Sequence, residues 1–189
     1  MLDYEIIMKE LIALIRGRIF TLKVKLLNKN ITTGKNLKLF CKLWISGPGK
    51  ITIGDNCTVR GIPGSRTQFV SLGTNSPEAE LQIGDSVQLL AAKISCKFSI
   101  SIGNNVIIED SSIMDTNFHS LDISRRTPKN ESRTNCAIII ADNVCIGVRS
   151  VINKGVTLGE GAMIAPCSVI QHSFPAHSTL QGNPATLIE

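Results

Sequence analysis

At 189 residues the chain has room for one substantial core or one solenoid, and little room for two full domains. Hydrophobic residues make up 43% and charged residues 19%, which excludes a disordered chain, and an aromatic content of 4% excludes a core filled by rings. The net charge of +5 favours anionic partners, but scattered basic residues with so few aromatics argue against nucleic acid.

The first element is a helix from Met1 to about Lys29. Leu11, Ile12, Leu14, Ile15, Ile19, Phe20, Leu22, Leu26 and Leu27 alternate with Lys9, Arg16, Arg18, Lys23, Lys25 and Lys29. The pattern predicts an amphipathic helix with a basic face over residues 1–30. Two roles are open to it: a cap over the end of a repeat structure, or an anchor at a membrane surface. The stretch carries no signal-cleavage pattern, and Lys9, Glu10, Arg16 and Arg18 break it too often for a membrane span. The six cysteines form no C-x-x-C pair, and their spacings suggest no zinc site. They read as buried free thiols of a cytoplasmic protein, one that works in solution or at the inner face of the membrane.

Three short segments share a pattern of Ile, Gly, Asp or Asn, any residue, then a small one. They are Ile53-Gly54-Asp55-Asn56-Cys57, Ile83-Gly84-Asp85-Ser86-Val87 and Ile102-Gly103-Asn104-Asn105-Val106. In each, another aliphatic follows six residues after the first: Val59, Leu89 and Ile108. Gly61 to Glu80, with Pro63, Gly64 and Pro77, reads as a loop or irregular coil.

The clearest run begins at Ile140. Every sixth residue is a large aliphatic: Ile140, Ile146, Ile152, Leu158, Ile164 and Ile170. Four further on in each block stand Val144, Ser150, Val156, Ala162 and Ser168, all small or β-branched. A helix repeats near 3.6 residues and a strand near 2, so neither marks every sixth position. A triangular solenoid does: each face takes one short strand, each corner one tight turn, and three faces close a coil of about eighteen residues. The expected fold is all-β, a left-handed parallel β-helix over residues 31–185, with a tail at 186–189.

One segment interrupts the repeat. Asp115 to Ala137 has no six-residue period, and the period resumes at Ile140. A solenoid tolerates such an insertion at a corner, and loops on rigid scaffolds carry function. This insertion, 115–137, holds His119 between Asp115 and Asp122, together with Arg125, Arg126, Lys129 and Arg133. A histidine can take a proton near neutral pH, and a nearby carboxylate can fix its tautomer.

The stretch from Ile140 to the C-terminus resembles the terminal part of the hexapeptide-repeat acetyltransferases, among them the maltose, galactoside and polysaccharide O-acetyltransferases. Lys154-Gly155-Val156-Thr157-Leu158-Gly159 and Gly182-Asn183-Pro184-Ala185 carry the resemblance, with the polar loop holding Asp115 and His119. It covers about residues 50 to 189. It implies transfer of an acetyl group from acetyl-CoA to a hydroxyl, often on a sugar, with His119 as general base and Asp115 and Asp122 beside it. It also implies a homotrimer with the acyl donor between subunits, near Gly147, Lys154, Ala165, Gln171 and His172, and no metal. The chain departs from the family pattern at three places. Cys145 stands where Trp is common, Gln171-His172 where Thr-Lys is common, and basic residues after Pro184-Ala185 are missing. Three rivals are an N-acetyltransferase acting on an amino sugar, an inactive trimeric scaffold or sugar-binding relative, and a zinc hydratase using His119, His172 and His177.

Overall fold

The computed structural model describes residues 2–27, 30–62, 68–117 and 131–188. Three parallel sheets form the faces of a triangular prism. The first face stacks Ile31–Thr33, Lys50–Ile53, Glu80–Ile83, Ser99–Ile102, Ile138–Ile140 and Thr157–Leu158. The second begins at Lys38–Leu39 and passes through Thr58–Arg60, Gln88–Leu90, Ile107–Glu109, Cys145–Ile146 and Met163–Ile164. It ends in Thr179–Gly182, on which Ala185–Leu187 folds back as the one antiparallel neighbour among the paired strands. The third face stacks Lys42–Ser46, Phe69–Thr74, Lys93–Cys96, Ser112–Met114, Val151–Ile152 and Val169–Ile170.

The six-residue step fixes the register. Ile140 sits on Leu158, Ile146 on Ile164 and Ile152 on Ile170, each eighteen residues on. All six are buried, as are the small partners Val144, Ser150, Val156, Ala162 and Ser168. The interior is a column of aliphatic side chains that no single coil could bury alone. The segment expected as irregular after Gly61 contains a full strand instead. Phe69–Thr74 pairs on both sides and buries Val70, Leu72 and Thr74 at alternate positions. Its six-residue phase is hidden because more residues separate it from Thr58–Arg60 than the repeat allows, while its period-2 alternation is intact.

The Ile-Gly-Asp/Asn motif has a cross-coil cause. At the corner between the first and second faces, each Asp or Asn accepts from the amide stacked on it in the preceding coil. The Lys35 amide donates to Asp55 Oδ1 (2.7 Å), Asp55 to Asp85 (2.7 Å), Asp85 to Asn104 (2.8 Å) and Asn104 to Asp142 (2.7 Å). The glycine makes room for this ladder: a Cβ on Gly54 would stand 2.4 Å from Asp85 Oδ1. The next residues turn through the left-handed region, at Asn56, Ser86, Asn105 and Asn143.

Helix α1 (Leu2–Leu27) covers the first coil. Ala13, Gly17 and Val24 are buried against it, with Leu14, Phe20 and Thr21 partly so. Glu10 pairs with Lys38 (2.9 Å) and Arg60 (2.8 Å), and the Thr33 hydroxyl bonds to the Thr21 hydroxyl at 2.9 Å. The helix caps the solenoid, as one of the two expected roles requires, but it is not amphipathic in the expected sense. The packed face is made of small residues, and the large aliphatics Leu11, Ile12, Ile15, Ile19, Leu22 and Leu26 are exposed. Gly17 sets the distance of approach, since a Cβ there would lie 1.7 Å from the Leu37 carbonyl oxygen. Gly17→Ala strengthens the isolated helix by about 1 kcal/mol and yet is expected to lift it off the coil. Trypsin should then cut at Arg16, Arg18 and Lys23 much faster than in the parent chain; unchanged protection would show that the contact does not hold the helix.

Of the six cysteines, all free, Cys57, Cys96 and Cys136 are buried. Cys41 and Cys145 are half-buried and Cys167 is exposed, so the expected burial applies to half of them. Cys167 is outside because it occupies a corner with φ of 61°.

Candidate active site

The insertion leaves the prism at the corner between the third and first faces. His119 and Asp122, the expected base and one of its neighbours, lie outside the described residues, as do Arg125, Arg126 and Lys129. The two roots of the insertion are described, and each is tied down by one carboxylate.

Asp115 holds the departing root. Alternation along Ser112–Met114 points Ile113 inward, Met114 outward and Asp115 inward again, so Asp115 is fully buried. One oxygen accepts from the Lys97 amide (2.7 Å). The other accepts from the Phe98 amide (2.7 Å) and the Ser99 amide (2.8 Å), with the Cys96 thiol 3.6 Å away. A carboxylate so engaged turns the Lys97–Ser99 corner of the preceding coil, so Asp115 is an inward position of the prism. Burial, then the Asp115 charge beside it, pushes the Cys96 thiol up to about 12, so this sulfur is no nucleophile.

Glu131 holds the returning root, and nothing in the sequence singled it out. Its side chain is 3% exposed, and four donors surround it. Lys154 Nζ (2.8 Å) and the Asn117 amide (3.3 Å) bond one oxygen; Lys97 Nζ (3.2 Å) and the Thr116 hydroxyl (3.0 Å) bond the other. Burial raises its pKa, but the bonds from Lys154, Asn117, Thr116 and Lys97 together outweigh it and hold the carboxyl at about 2. Glu131 thus joins both roots of the insertion to two coils of the scaffold. Farther along, Arg133 pairs with Glu80, and the short helix α2 (Arg133–Cys136) buries Cys136 on the way back into the repeat.

The residues expected around an acyl donor fall on two different edges. Gly147 and Ala165 occupy the corner between the second and third faces, one coil apart. Their amides donate to Ile164 O (2.9 Å) and Leu180 O (2.8 Å). The Gly147 carbonyl accepts from the Ser111 hydroxyl, and the Ala165 carbonyl from Ser150 and Ser168. Their backbone donors are spent on the rungs of the prism. Lys154, Gln171 and His172 share the edge from which the insertion emerges. Lys154 is held by Glu131, while Gln171 and His172 are exposed one coil below. Cys145 points outward between Ile107 and Met163 on the second face. Among the described residues, no three of His, Cys, Asp and Glu are grouped to hold a metal ion.

The prism has known counterparts. The family described as bacterial transferase hexapeptide (six repeats) matches residues 137–172. Over those residues the chain carries the repeat for which that family is named. It is 31% identical over 91 residues to the galactoside O-acetyltransferase of Escherichia coli, covering 48% of this chain and 44% of that protein. It is 41% identical over 58 residues to a 2,3,4,5-tetrahydropyridine-2,6-dicarboxylate N-acetyltransferase of Clostridium perfringens, covering 31% of this chain and 24% of that one. The matches thus span less than half the length of these curated relatives. Among solved structures, the Bacillus cereus N-acyltransferase AntD, in complex with dTDP and 3-hydroxybutyryl-CoA, aligns with a TM-score of 0.68 at 19% identity, covering 88% of this chain and 87% of that one. A galactoside acetyltransferase in complex with coenzyme A aligns at 0.54 with 20% identity, covering 95% and 81%. These likenesses establish the architecture of this hexapeptide-repeat protein as the left-handed parallel β-helix.

Proposed function

We propose that this hexapeptide-repeat protein transfers an acetyl group from acetyl-CoA to a hydroxyl of a sugar or surface polysaccharide, with His119 as general base. The observation that carries the reading is the insertion at one edge of the prism, with both roots fixed by Asp115 and Glu131 on the edge that bears Gln171 and His172 two coils on. A loop held at both ends can present a base reproducibly, and positioning supplies much of the rate in such a reaction. His119 takes the proton of the acceptor hydroxyl as that oxygen attacks the thioester carbonyl. The carbon–sulfur bond then breaks, and the leaving thiolate takes up the proton. Asp122 is proposed to steady the imidazolium, and Asp115 to act by positioning, because its oxygens already serve three amides.

The acyl donor is proposed to run along the edge carrying Gln171 and His172, with contacts from a neighbouring subunit of a homotrimer. Lys154 reaches it only by releasing Glu131. Gly147 and Ala165 stand on another edge of the prism and meet the donor only from the neighbouring subunit, through surface shape and not through their amides. The names of the relatives support an acyl-CoA donor and leave the acceptor atom open. Transfer to an amino sugar needs the same base and donor, and the Bacillus and Clostridium relatives favour it as the second reading.

Thermal melting with saturating acetyl-CoA tests the donor. At a hundredfold excess over Kd it is expected to stabilise the fold by about 2.7 kcal/mol, in the parent chain and in His119→Ala alike. Free-thiol release with a panel of sugars and amino sugars tests the chemistry, with His119→Ala expected to lose roughly 10²- to 10⁴-fold in kcat. Melting that ignores acetyl-CoA would remove the acyl-transfer reading and leave a binding scaffold. A panel that reacts only through amines would replace the O-acetyl reading by the N-acetyl one.

A further inference from the structure

The outward face of α1 has no partner in the fold and carries a regular pattern. Met8, Ile12, Ile15, Ile19, Leu22 and Leu26 follow one another at alternating steps of four and three residues, which places them in one stripe along the helix. All six are exposed, from 36% at Met8 to 82% at Leu26. The residues packed on the β-helix, such as Ala13, Gly17 and Val24, lie on the opposite side. The stripe therefore cannot be a misdirected cap face; it points straight away from the prism. From Tyr4 to Lys9 every residue is exposed, so the first turns of the helix add apolar surface beyond the coil.

The edges of the stripe select its occupant. Lys9, Arg16 and Lys23 each follow a stripe residue directly and line one border; Arg18 and Lys25 each precede one and line the other. From Leu11 to Leu27 the helix has four basic residues and no acidic one. Helices that pair side by side in parallel through such a stripe place these border positions against each other, and from Leu11 onward every such pairing would set positive against positive; Glu5 offsets only Lys9 on that border. A flat anionic surface meets both borders with opposite charge. The helix also cannot cross a bilayer, since no helix among the described residues is long and apolar enough. An apolar stripe bordered on both sides by Lys and Arg, on a helix that does not span, fits the plane of an interface.

We propose that the outer face of α1 docks this hexapeptide-repeat protein on a bilayer surface bearing anionic headgroups. The stripe sinks into the boundary between headgroups and acyl chains, and the four border cations Arg16, Arg18, Lys23 and Lys25 meet the lipid phosphates, Lys9 being paired with Glu5. The prism, packed on the other side of the helix, is held with its first coil toward the membrane. This docking is independent of the acyl acceptor.

Sedimentation of the full chain with vesicles tests it, using phosphatidylcholine alone and phosphatidylcholine with phosphatidylglycerol. Binding is expected only to the anionic vesicles, and to weaken in high salt as the charges are screened. Arg16→Gln with Lys23→Gln is expected to lower the partition coefficient roughly thirty-fold, about five-fold for each charge. Ile15→Glu with Ile19→Glu should abolish binding with an unchanged melting curve, because both positions face solvent in the free protein. Equal binding to both vesicle types, or none to either, would overturn the proposal. So would a change of oligomeric state in the Ile15→Glu, Ile19→Glu chain by analytical ultracentrifugation, which would assign the stripe to a second copy.

Discussion

Asp115→Ala is expected to destabilise the fold by about 4 kcal/mol, because it strands three amides that no other group can reach. The Lys97, Phe98 and Ser99 amides all point at one carboxylate, and an alanine leaves them facing a small apolar hole. At this chain length such a loss lowers Tm by roughly 8–16 °C. Asp115→Asn keeps one acceptor oxygen but turns an amide NH₂ on a backbone donor, so about half the loss is expected. Scanning calorimetry on the two variants measures both. An Ala variant that melted like the parent chain and lost only its turnover would show that Asp115 serves His119 directly, and the positioning role would be wrong.

Glu131→Gln comes next, and here the pH dependence is diagnostic. The folded pKa, at about 2, lies below the ordinary value of 4.5. A depressed carboxyl stabilises the fold fully above its unfolded pKa, and the contribution fades as pH falls from about 4.5 toward 2. The shift corresponds to about 3 kcal/mol, of which about 2 kcal/mol is expected to survive, since Lys97 and Lys154 are each about a third open to solvent and screened by it. Urea denaturation at pH 7 should therefore show a clear gap between the parent chain and Glu131→Gln, and the gap should close by about pH 2. A gap that stayed constant across that range would mean that the ion pairs contribute nothing. Turnover should suffer too, through KM and kcat together, because the loop loses its returning anchor while His119 is still present.

The aliphatic column was readable from the sequence because one inward residue every six positions leaves an unmistakable phase. The polar ladder was only half readable. Asp55, Asp85 and Asn104 announced turns, but their partners sit in other coils, nineteen to thirty-eight residues away, and no local pattern reports them. Asp115 misled for the same reason. Counted from the loop, it is the first polar residue of an insertion; counted from Ile113, it is the next inward position of the strand. Glu131 was invisible, since its four donors come from segments that meet only in the folded chain. In α1 the sequence shows the apolar residues plainly. It does not show that Ala13, Gly17 and Val24 take the inner side and leave the larger aliphatics outside.

The direction of the Asp/Asn ladder has a consequence for how the chain is made. Each amide on the ladder is satisfied by a carboxylate or carboxamide that comes later in the sequence: Lys35 waits for Asp55, Asp55 for Asp85, Asp85 for Asn104, and Asn104 for Asp142. A coil leaving the ribosome therefore has an open corner until its successor has emerged. The wait is longest at Asn104, whose partner lies beyond the whole 115–137 insertion. Synthesis must traverse the polar loop before the coil that precedes it can be finished, so the first coils and the last ones are joined only once the entire loop is outside the exit tunnel.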